Sequence, residues 1–262
     1  MTIPVPPYVE GHGLLKGKSV LITAAAGVGI GFATAKKAIE EGCRAILVSD
    51  VHERRLAEAA AKLAEIALGT PVFQQLCNVT DEGQVQALVA AAEDKLGGID
   101  VLVNNAGLGG FKSVVEMGDE EWSRVLDVTL TGTMRMTRAA LKAMMPRRAG
   151  AIVNNASVLG WRAQKGQSHY AAAKAGVMAF TRCSALEAAE HGIRINAVSP
   201  SIAMHDFLKK ASTPQELERL AAGEAFGRAA EVWEVANVIM FLASDYAGYM
   251  VGEVVSVSSQ RA

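Results

Sequence analysis

Short apolar runs alternate with long amphipathic stretches along almost the whole chain, and this alternation narrows the folds open to it. The runs are "SVLIT" at 19–23, "AILVSD" at 45–50, "VFQQLCNV" at 72–79, "DVLVNN" at 100–105, "AIVNNA" at 151–156, "IRINAVSP" at 193–200 and "EVVSVS" at 253–258. They are rich in Val and Ile, and most lack a clear apolar–polar alternation. That is the pattern of strands covered on both faces. Between them lie helical segments such as "GFATAKKAIEEG", "HERRLAEAAAKLAEIALG", "DEGQVQALVAAAEDKLGG" and "EEWSRVLDVTLTGTMRMTRAALKAMMP". Gly42, Gly69, Gly97 and Gly192 stand where helices end on glycine. The repeated β-α-β order predicts an α/β protein: a single doubly wound domain of about seven parallel strands with helices on both faces.

The 262 residues are 50% hydrophobic, which suffices for one large domain or two small ones. No linker, repeat or low-complexity segment divides the chain. Residues 1–16 carry prolines where a signal peptide would need an apolar stretch, so they read as an extended arm on a domain at 17–262 in a cytoplasmic protein. Residues 201–230 break the alternation and read as a mobile substrate lid over the C-terminal strand edge.

A net charge of −1 and a pI of about 6.5 give no footprint for nucleic acid or a charged membrane surface. No uninterrupted apolar run is long enough to span a bilayer. Cys43, Cys77 and Cys183 are far apart, with no CxxC and no histidine at metal spacing. Free, mostly buried thiols in a reducing compartment are expected, and no metal site.

Three features carry chemistry. The first is "LITAAAGVGIGFATA", which follows the first strand and opens the first helix. Gly27, Gly29 and Gly31 allow a tight turn and close backbone approach to a pyrophosphate at a helix N-terminus. The second is Asp50, at the end of strand two. A carboxylate there either holds the ribose hydroxyls of an adenosine or caps the second helix. Facing a 2′-phosphate, two unit charges ~4 Å apart would repel by roughly 4 kcal/mol at an effective dielectric of about 20. NAD is therefore expected over NADP, although His52, Arg54 and Arg55 are close in sequence. The third is "SHYAAAKAGVMAF" at 168–180. Tyr170 and Lys174 are spaced i, i+4 and share one helix face. They either snorkel at a core edge or form a proton-transfer pair.

The glycine turn, "NNAG" at 104–107, Ser157, "YAAAK" at 170–174 and "NAVSP" at 196–200 occur in one order. In these motifs the chain resembles the short-chain dehydrogenase/reductase family, a Rossmann-fold family, from about residue 16 to the end. The resemblance implies that Tyr170 is the catalytic acid/base, lowered in pKa by Lys174 and by the nicotinamide's charge. It implies that Lys174 also holds the nicotinamide ribose and that Ser157 hydrogen-bonds the substrate oxygen. Around the cofactor it places Thr23, Ala25, Gly27, Gly29, Ile30, Asp50, Asn78 and Val79. Asn105, Ala106 and Gly107 would follow after strand four, and Pro200 and Ile202 after strand six. A substrate wall is expected from Leu108, Leu159, Trp161 and Met204. A free tyrosine, with pKa near 10, is too weakly acidic to serve as a base at neutral pH unless a nearby cation favours the phenolate.

Four departures from the family pattern stand out. Ala24 replaces the first glycine of the turn, which also has one extra residue, so the backbone there is expected to avoid the left-handed region. Asn78 stands where an aspartate is usual, and its side-chain carbonyl is expected to meet an adenine amino group. Thr129 stands in place of the catalytic asparagine. Pro200–Ser201 replaces the usual proline-glycine, with Met204 and His205 after it. His169 is expected to point away from Lys174.

The resemblance implies an NAD-dependent secondary alcohol dehydrogenase or ketone reductase acting on a small-molecule substrate, assembled as a homodimer or homotetramer. An NADPH-dependent 3-oxoacyl thioester reductase is the alternative within enzymes. A non-catalytic, cofactor-sensing protein is the alternative outside them, and only Thr129 points to it. The runs "NNASVLGWRAQ", "AAAGVGIG" and "VVSVSSQRA" look like an actinobacterial branch linked to steroid-nucleus breakdown. That likeness implies a ring-bearing coenzyme A thioester, its phosphates within reach of Arg162, Lys209 or Lys210.

Overall fold

A computed structural model describes residues 2–204 and 213–259. The expected strands form one sheet. They are β1 (Ser19–Ile22), β2 (Ala45–Asp50), β3 (Val72–Leu76), β4 (Val101–Asn104), β5 (Gly150–Asn155), β6 (Ile193–Pro200) and, at the far edge, β9 (Val254–Val257). Their order is β3-β2-β1-β4-β5-β6-β9, and the paired strands run parallel. The order reverses between β1 and β4. A crevice opens there at the carboxyl ends of the strands, the usual ligand position in doubly wound sheets.

The lack of alternation within the strands has a direct cause. Val20 and Ile22 pack into one core while Leu21, between them, packs into another. The same division separates Ile46 and Val48 from Leu47, and Val101 and Val103 from Leu102. One core lies under α1 (Ile30–Glu40), α2 (Glu53–Ile66) and α8 (Val232–Ala243). The other lies under α3 (Glu82–Leu96), α5 (Gly132–Met144) and α6 (Ser168–Ala189). With both faces of the central strands covered, successive apolar side chains are buried on opposite sides, while the edge strands β3 and β9 keep exposed positions.

The segment read as one helix from 120 to 146 is interrupted. α4 (Asp119–Leu126) passes through a π turn at Asp127–Thr131 before α5 begins. Gly132 follows the turn, where a Cβ would stand 2.6 Å from the Val79 side chain. Gly176 on α6 serves the same close packing, since a Cβ there would lie 2.7 Å from Leu130. The glycines at 42, 69, 97 and 192 all have positive φ, as expected of helix-ending glycines.

The N-terminal residues 2–12 form neither helix nor strand, but they are docked. The Tyr8 hydroxyl donates to Glu40 at 2.5 Å, and its ring meets Trp233 edge-on at 5.2 Å. The buried Lys37 donates to the Val9 carbonyl. Leu15, inside the stretch read as an arm, is fully buried. In the segment read as a lid, β7 (Ala203–Met204) pairs with β8 (Ala230–Glu231), and α7 spans Pro214–Gly223. His205, Lys209 and Lys210 lie outside the described residues. Among those described, no helix is long and apolar enough to cross a membrane.

Candidate active site

The glycine turn leaves β1 through Thr23, whose hydroxyl accepts the N–H groups of Asn105, at 3.0 Å, and Ala106, at 3.1 Å. This fixes the end of β4 against the start of the turn. Ala24 then adopts φ 50, inside the left-handed region it was expected to avoid. Hydrogen bonds impose that conformation: Ala25 N–H donates to the Ser49 carbonyl at 3.0 Å, and the Asn105 amide donates to the Ala24 carbonyl at 2.9 Å. Gly31 packs against the same carbonyl, where a Cβ would stand at 2.3 Å. Alanine pays roughly 1–2 kcal/mol for that region, and surrounding contacts hold it there.

The turn fits a dinucleotide. Gly27 (φ 93) and Gly29 face open space, so a phosphate can approach their backbone. α1 starts at Ile30 with no side-chain cap and no acidic residue in its first turn. Its N–H groups and positive dipole end are free to receive an anion. Asp50 lies beside the turn at the end of β2, accepting from Ala26 N–H at 3.1 Å and His52 N–H at 3.0 Å. His52 stands at the N-cap position of α2, with no side-chain cap hydrogen bond. Burial raises the Asp50 pKa, while backbone hydrogen bonds from Ala26 and Val51 and the charge of Arg55 oppose the rise.

Asn78 differs from expectation. Its side-chain oxygen accepts from both the N–H and the hydroxyl of Thr80, at 3.1 and 2.9 Å. Two bonds use both lone pairs, so the amide NH₂ is the group left for an adenine. Val79 is buried against Gly132 and lines no open surface.

β4 and β5 end side by side, and their paired asparagines bring the proton-transfer candidates together. Asn104 and Asn154 bond each other in the core and reach Thr137 and Thr181 on the flanking helices. One residue further on, Asn155 donates to Asn105 at 2.9 Å. The Asn155 carbonyl accepts from the Lys174 ammonium. Gly107 makes room for that ammonium, since a Cβ there would lie 3.4 Å from Nζ. Lys174 Nζ is 5.6 Å from the centroid of the Tyr170 ring. Ser157, at the start of the turn after β5, is nearly buried and accepts from Leu159 N–H at 3.3 Å.

The electrostatics of the pair differ from expectation. Burial raises the Tyr170 pKa, opposed by a hydrogen bond from Ser157. Lys174 is itself lowered from 10.5 to about 8 by burial. Desolvation disfavours the charged form of both groups in the protein alone.

The remaining candidates frame this cluster. Leu108 is partly buried and Gly109 lies over the Tyr170 ring, while Trp161 is 51% exposed at the rim. Pro200 ends β6 in the buried interior, and the Ile202 carbonyl accepts from Ala230 N–H at 2.9 Å. Met204 ends β7, the last described residue before the gap. Thr129 is fully buried in the π turn and reaches Leu108 rather than Lys174. His169 is fully buried beside Gly110. Asn155 had no role in the sequence reading. Its contribution is a backbone carbonyl, and its only sequence signal is its place after Asn154 at the strand end.

The chain is similar to known proteins over nearly its whole length. Residues 24–259 match the family adh_short_C2, described as enoyl-(acyl carrier protein) reductase. A Mycobacterium tuberculosis protein named (5R,7aS)-5-hydroxy-7a-methyl-1-oxo-2,3,5,6,7,7a-hexahydro-1H-indene-carboxyl-CoA reductase is 62% identical over 257 residues, covering 98% of this chain and 97% of its own. A 3-oxoacyl-[acyl-carrier-protein] reductase from Vibrio cholerae is 37% identical over 93% of this chain and 97% of its own. Among solved structures, a short chain dehydrogenase from Mycobacterium smegmatis superposes with a TM-score of 0.88 at 59% identity, covering 99% of both chains. An NAD+-bound xylitol dehydrogenase superposes with a TM-score of 0.87 at 30% identity, covering 94% of this chain and 99% of its own.

Proposed function

Since the chain belongs to the short-chain dehydrogenase/reductase family, whose members are NAD(P)-dependent oxidoreductases, we propose that it interconverts a ring hydroxyl and a ketone on a bulky apolar coenzyme A thioester, using NAD(H). The reading rests on one arrangement: Tyr170, Ser157 and Lys174 converge beside a glycine turn suited to a dinucleotide. The substrate class is supported by the relative at 62% identity that is named for a bicyclic carboxyl-CoA compound.

When bound, the nicotinamide supplies the hydride for reduction and accepts it in oxidation. In reduction the Tyr170 hydroxyl gives its proton to the ketone oxygen, while Ser157 donates to that oxygen and steadies the charge that develops there. In oxidation Tyr170 takes the proton back. Lys174, anchored to the Asn155 carbonyl, holds a positive charge beside the phenol and presents donors to the ribose. Leu108, Leu159, Trp161 and Met204 supply the apolar wall, and the exposed Arg162 is a candidate to contact the thioester's phosphates.

Asp50 supports NAD as the carrier, because its carboxylate would oppose a 2′-phosphate. Asp50→Ala should narrow a preference for NADH over NADPH, read by fluorescence titration with both. Homodimer or homotetramer assembly in the cytoplasm completes the reading, and light scattering on the purified protein checks the subunit number.

The 3-oxoacyl reductases at 37% identity favour a second reading, a straight-chain 3-oxoacyl thioester as substrate. The deciding experiment compares kcat/KM for a ring-alcohol thioester, its free acid and a straight-chain 3-hydroxyacyl thioester. The ring thioester should be preferred. A tenfold preference for the straight chain, about 1.4 kcal/mol of transition-state binding, replaces the first reading with the second.

A further inference from the structure

The wall that passes over the Tyr170 ring is the segment 108–112, and it is pinned at both ends. The Leu108 peptide is held by the Thr129 hydroxyl. Lys112 N–H donates to the Gly166 carbonyl at 2.8 Å. Between these anchors the wall has two glycines with different surroundings. A Cβ at Gly109 would meet the Tyr170 ring at 3.6 Å, an ordinary contact. A Cβ at Gly110 would stand 2.8 Å from Nε2 of His169.

His169 is fully buried, and neither ring nitrogen has a hydrogen-bond partner. Glu121 on α4 makes an ion-pair contact with it, with Oε1 3.9 Å from Nε2. Glu121 turns in part to Lys112, at 3.7 Å, on the wall itself. A buried imidazole without hydrogen bonds is costly. What the ring does here is fill space under Gly110, in the residue adjoining Tyr170.

We propose that His169 is a positioning residue that sets the height of the 108–112 wall over Tyr170, and through it the size of substrate the cleft admits. The imidazole acts as a spacer, and Gly110 is glycine because the spacer occupies the place of its side chain. Removing the spacer lets the wall settle toward α6 and narrows the mouth. Adding a methyl at Gly110 lifts the wall. The two changes have opposite signs and compensate when combined.

This proposal rests on the reading of Tyr170 as the proton-transfer group. Its test uses a series of secondary alcohols of increasing ring size, scored as the ratio of kcat/KM for the largest to that for the smallest. His169→Ala should lower that ratio about tenfold, mainly through KM for the large member, with NADH affinity unchanged. Gly110→Ala should shift the ratio the opposite way, toward the largest member, and the double variant should recover most of the wild-type ratio because the space vacated by the imidazole takes the added methyl. His169→Gln reaches about as far as Nε2 without a titrating ring, and should keep the wild-type ratio and pH profile.

A double variant whose ratio stays as low as that of His169→Ala overturns the proposal. So does a His169→Gln enzyme as impaired as His169→Ala with an altered pH profile, which would assign the imidazole a proton-transfer role. Failure of the Tyr170 reading looks different: Tyr170→Phe would then stay active in the wild-type background.

Discussion

The Thr129 hydroxyl donates to the Leu108 carbonyl at 3.1 Å and accepts from the Leu108 N–H at 3.0 Å. One side chain thus satisfies both backbone polar groups of one residue, from inside a π turn. The insertion that makes a π turn shifts the helix register and aims position 129 at the loop after β4. A small hydroxyl suits this distance. The residue is not needed to touch Lys174 in order to matter for the site.

Thr129→Val keeps the shape and removes both bonds. The Leu108 peptide then loses its partners in a buried setting, at a cost of about 1–3 kcal/mol. The expected outcome is a folded enzyme with raised KM for large substrates and nearly unchanged NADH affinity. Thr129→Asn keeps a donor and an acceptor and should be tolerated, with turnover at or above that of the wild type. Steady-state kinetics on both variants check this. A Thr129→Val enzyme with unchanged KM would separate the wall from its anchor.

Tyr170→Phe should retain the fold and cofactor affinity. Turnover should fall by about 10²–10⁴-fold, the usual contribution of a general acid–base group. Circular dichroism, NADH titration and initial rates measure the three properties separately. More than about a tenth of wild-type turnover would remove Tyr170 from the mechanism.

Much of this was legible from residue types, and the reasons for the exceptions are physical. "AILVSD" and "IRINAVSP" mark β2 and β6 to the residue, because a strand covered on both faces carries apolar residues on both sides and stops at a polar or proline end. Tyr170 and Lys174 were readable because helical spacing alone puts them on one face. The π turn was hidden, since one inserted residue scarcely alters an apolar periodicity spread over 120–146. Ala24 at φ 50 was hidden because hydrogen bonds to Ser49 and from Asn105, distant in sequence, decide its conformation. The Asn155 carbonyl was hidden because a backbone acceptor has no residue type.

Lys174 should destabilise the cofactor-free protein at neutral pH. Its folded pKa, about 8, lies below its ordinary 10.5 because burial disfavours the ammonium. The unfolded chain therefore binds more protons between these values, and stability rises with pH across that window. Below it the full cost is present, about 3 kcal/mol at 1.36 kcal/mol per pKa unit. Lys174→Met removes the charge and also the bond to the Asn155 carbonyl. It should gain about 2 kcal/mol at pH 7 after allowing for that bond, lose its advantage as pH approaches 10.5, and be almost inactive. Urea denaturation of both proteins at pH 7 and pH 10 measures the difference. A Met variant less stable at pH 7 would show that the ammonium's hydrogen bond outweighs its desolvation.

Ala24→Gly should stabilise the protein without weakening cofactor binding. Ala24 sits at φ 50, where its Cβ costs roughly 1–2 kcal/mol. Glycine removes that strain but adds freedom to the unfolded chain, worth about 0.4–1 kcal/mol. The net gain is up to about 1 kcal/mol, which for a chain of this size moves Tm by about 2–4 °C. The turn itself should not change, because Ala25 N–H, the Ala24 carbonyl and Gly31 are each held by neighbours that do not involve the Ala24 side chain. NADH affinity should accordingly match the wild type. Differential scanning calorimetry with an NADH titration tests both halves. A lower Tm would mean that the methyl group makes contacts worth more than the strain, and weaker NADH binding at equal Tm would mean that the strained alanine holds the phosphate-facing turn in its binding shape.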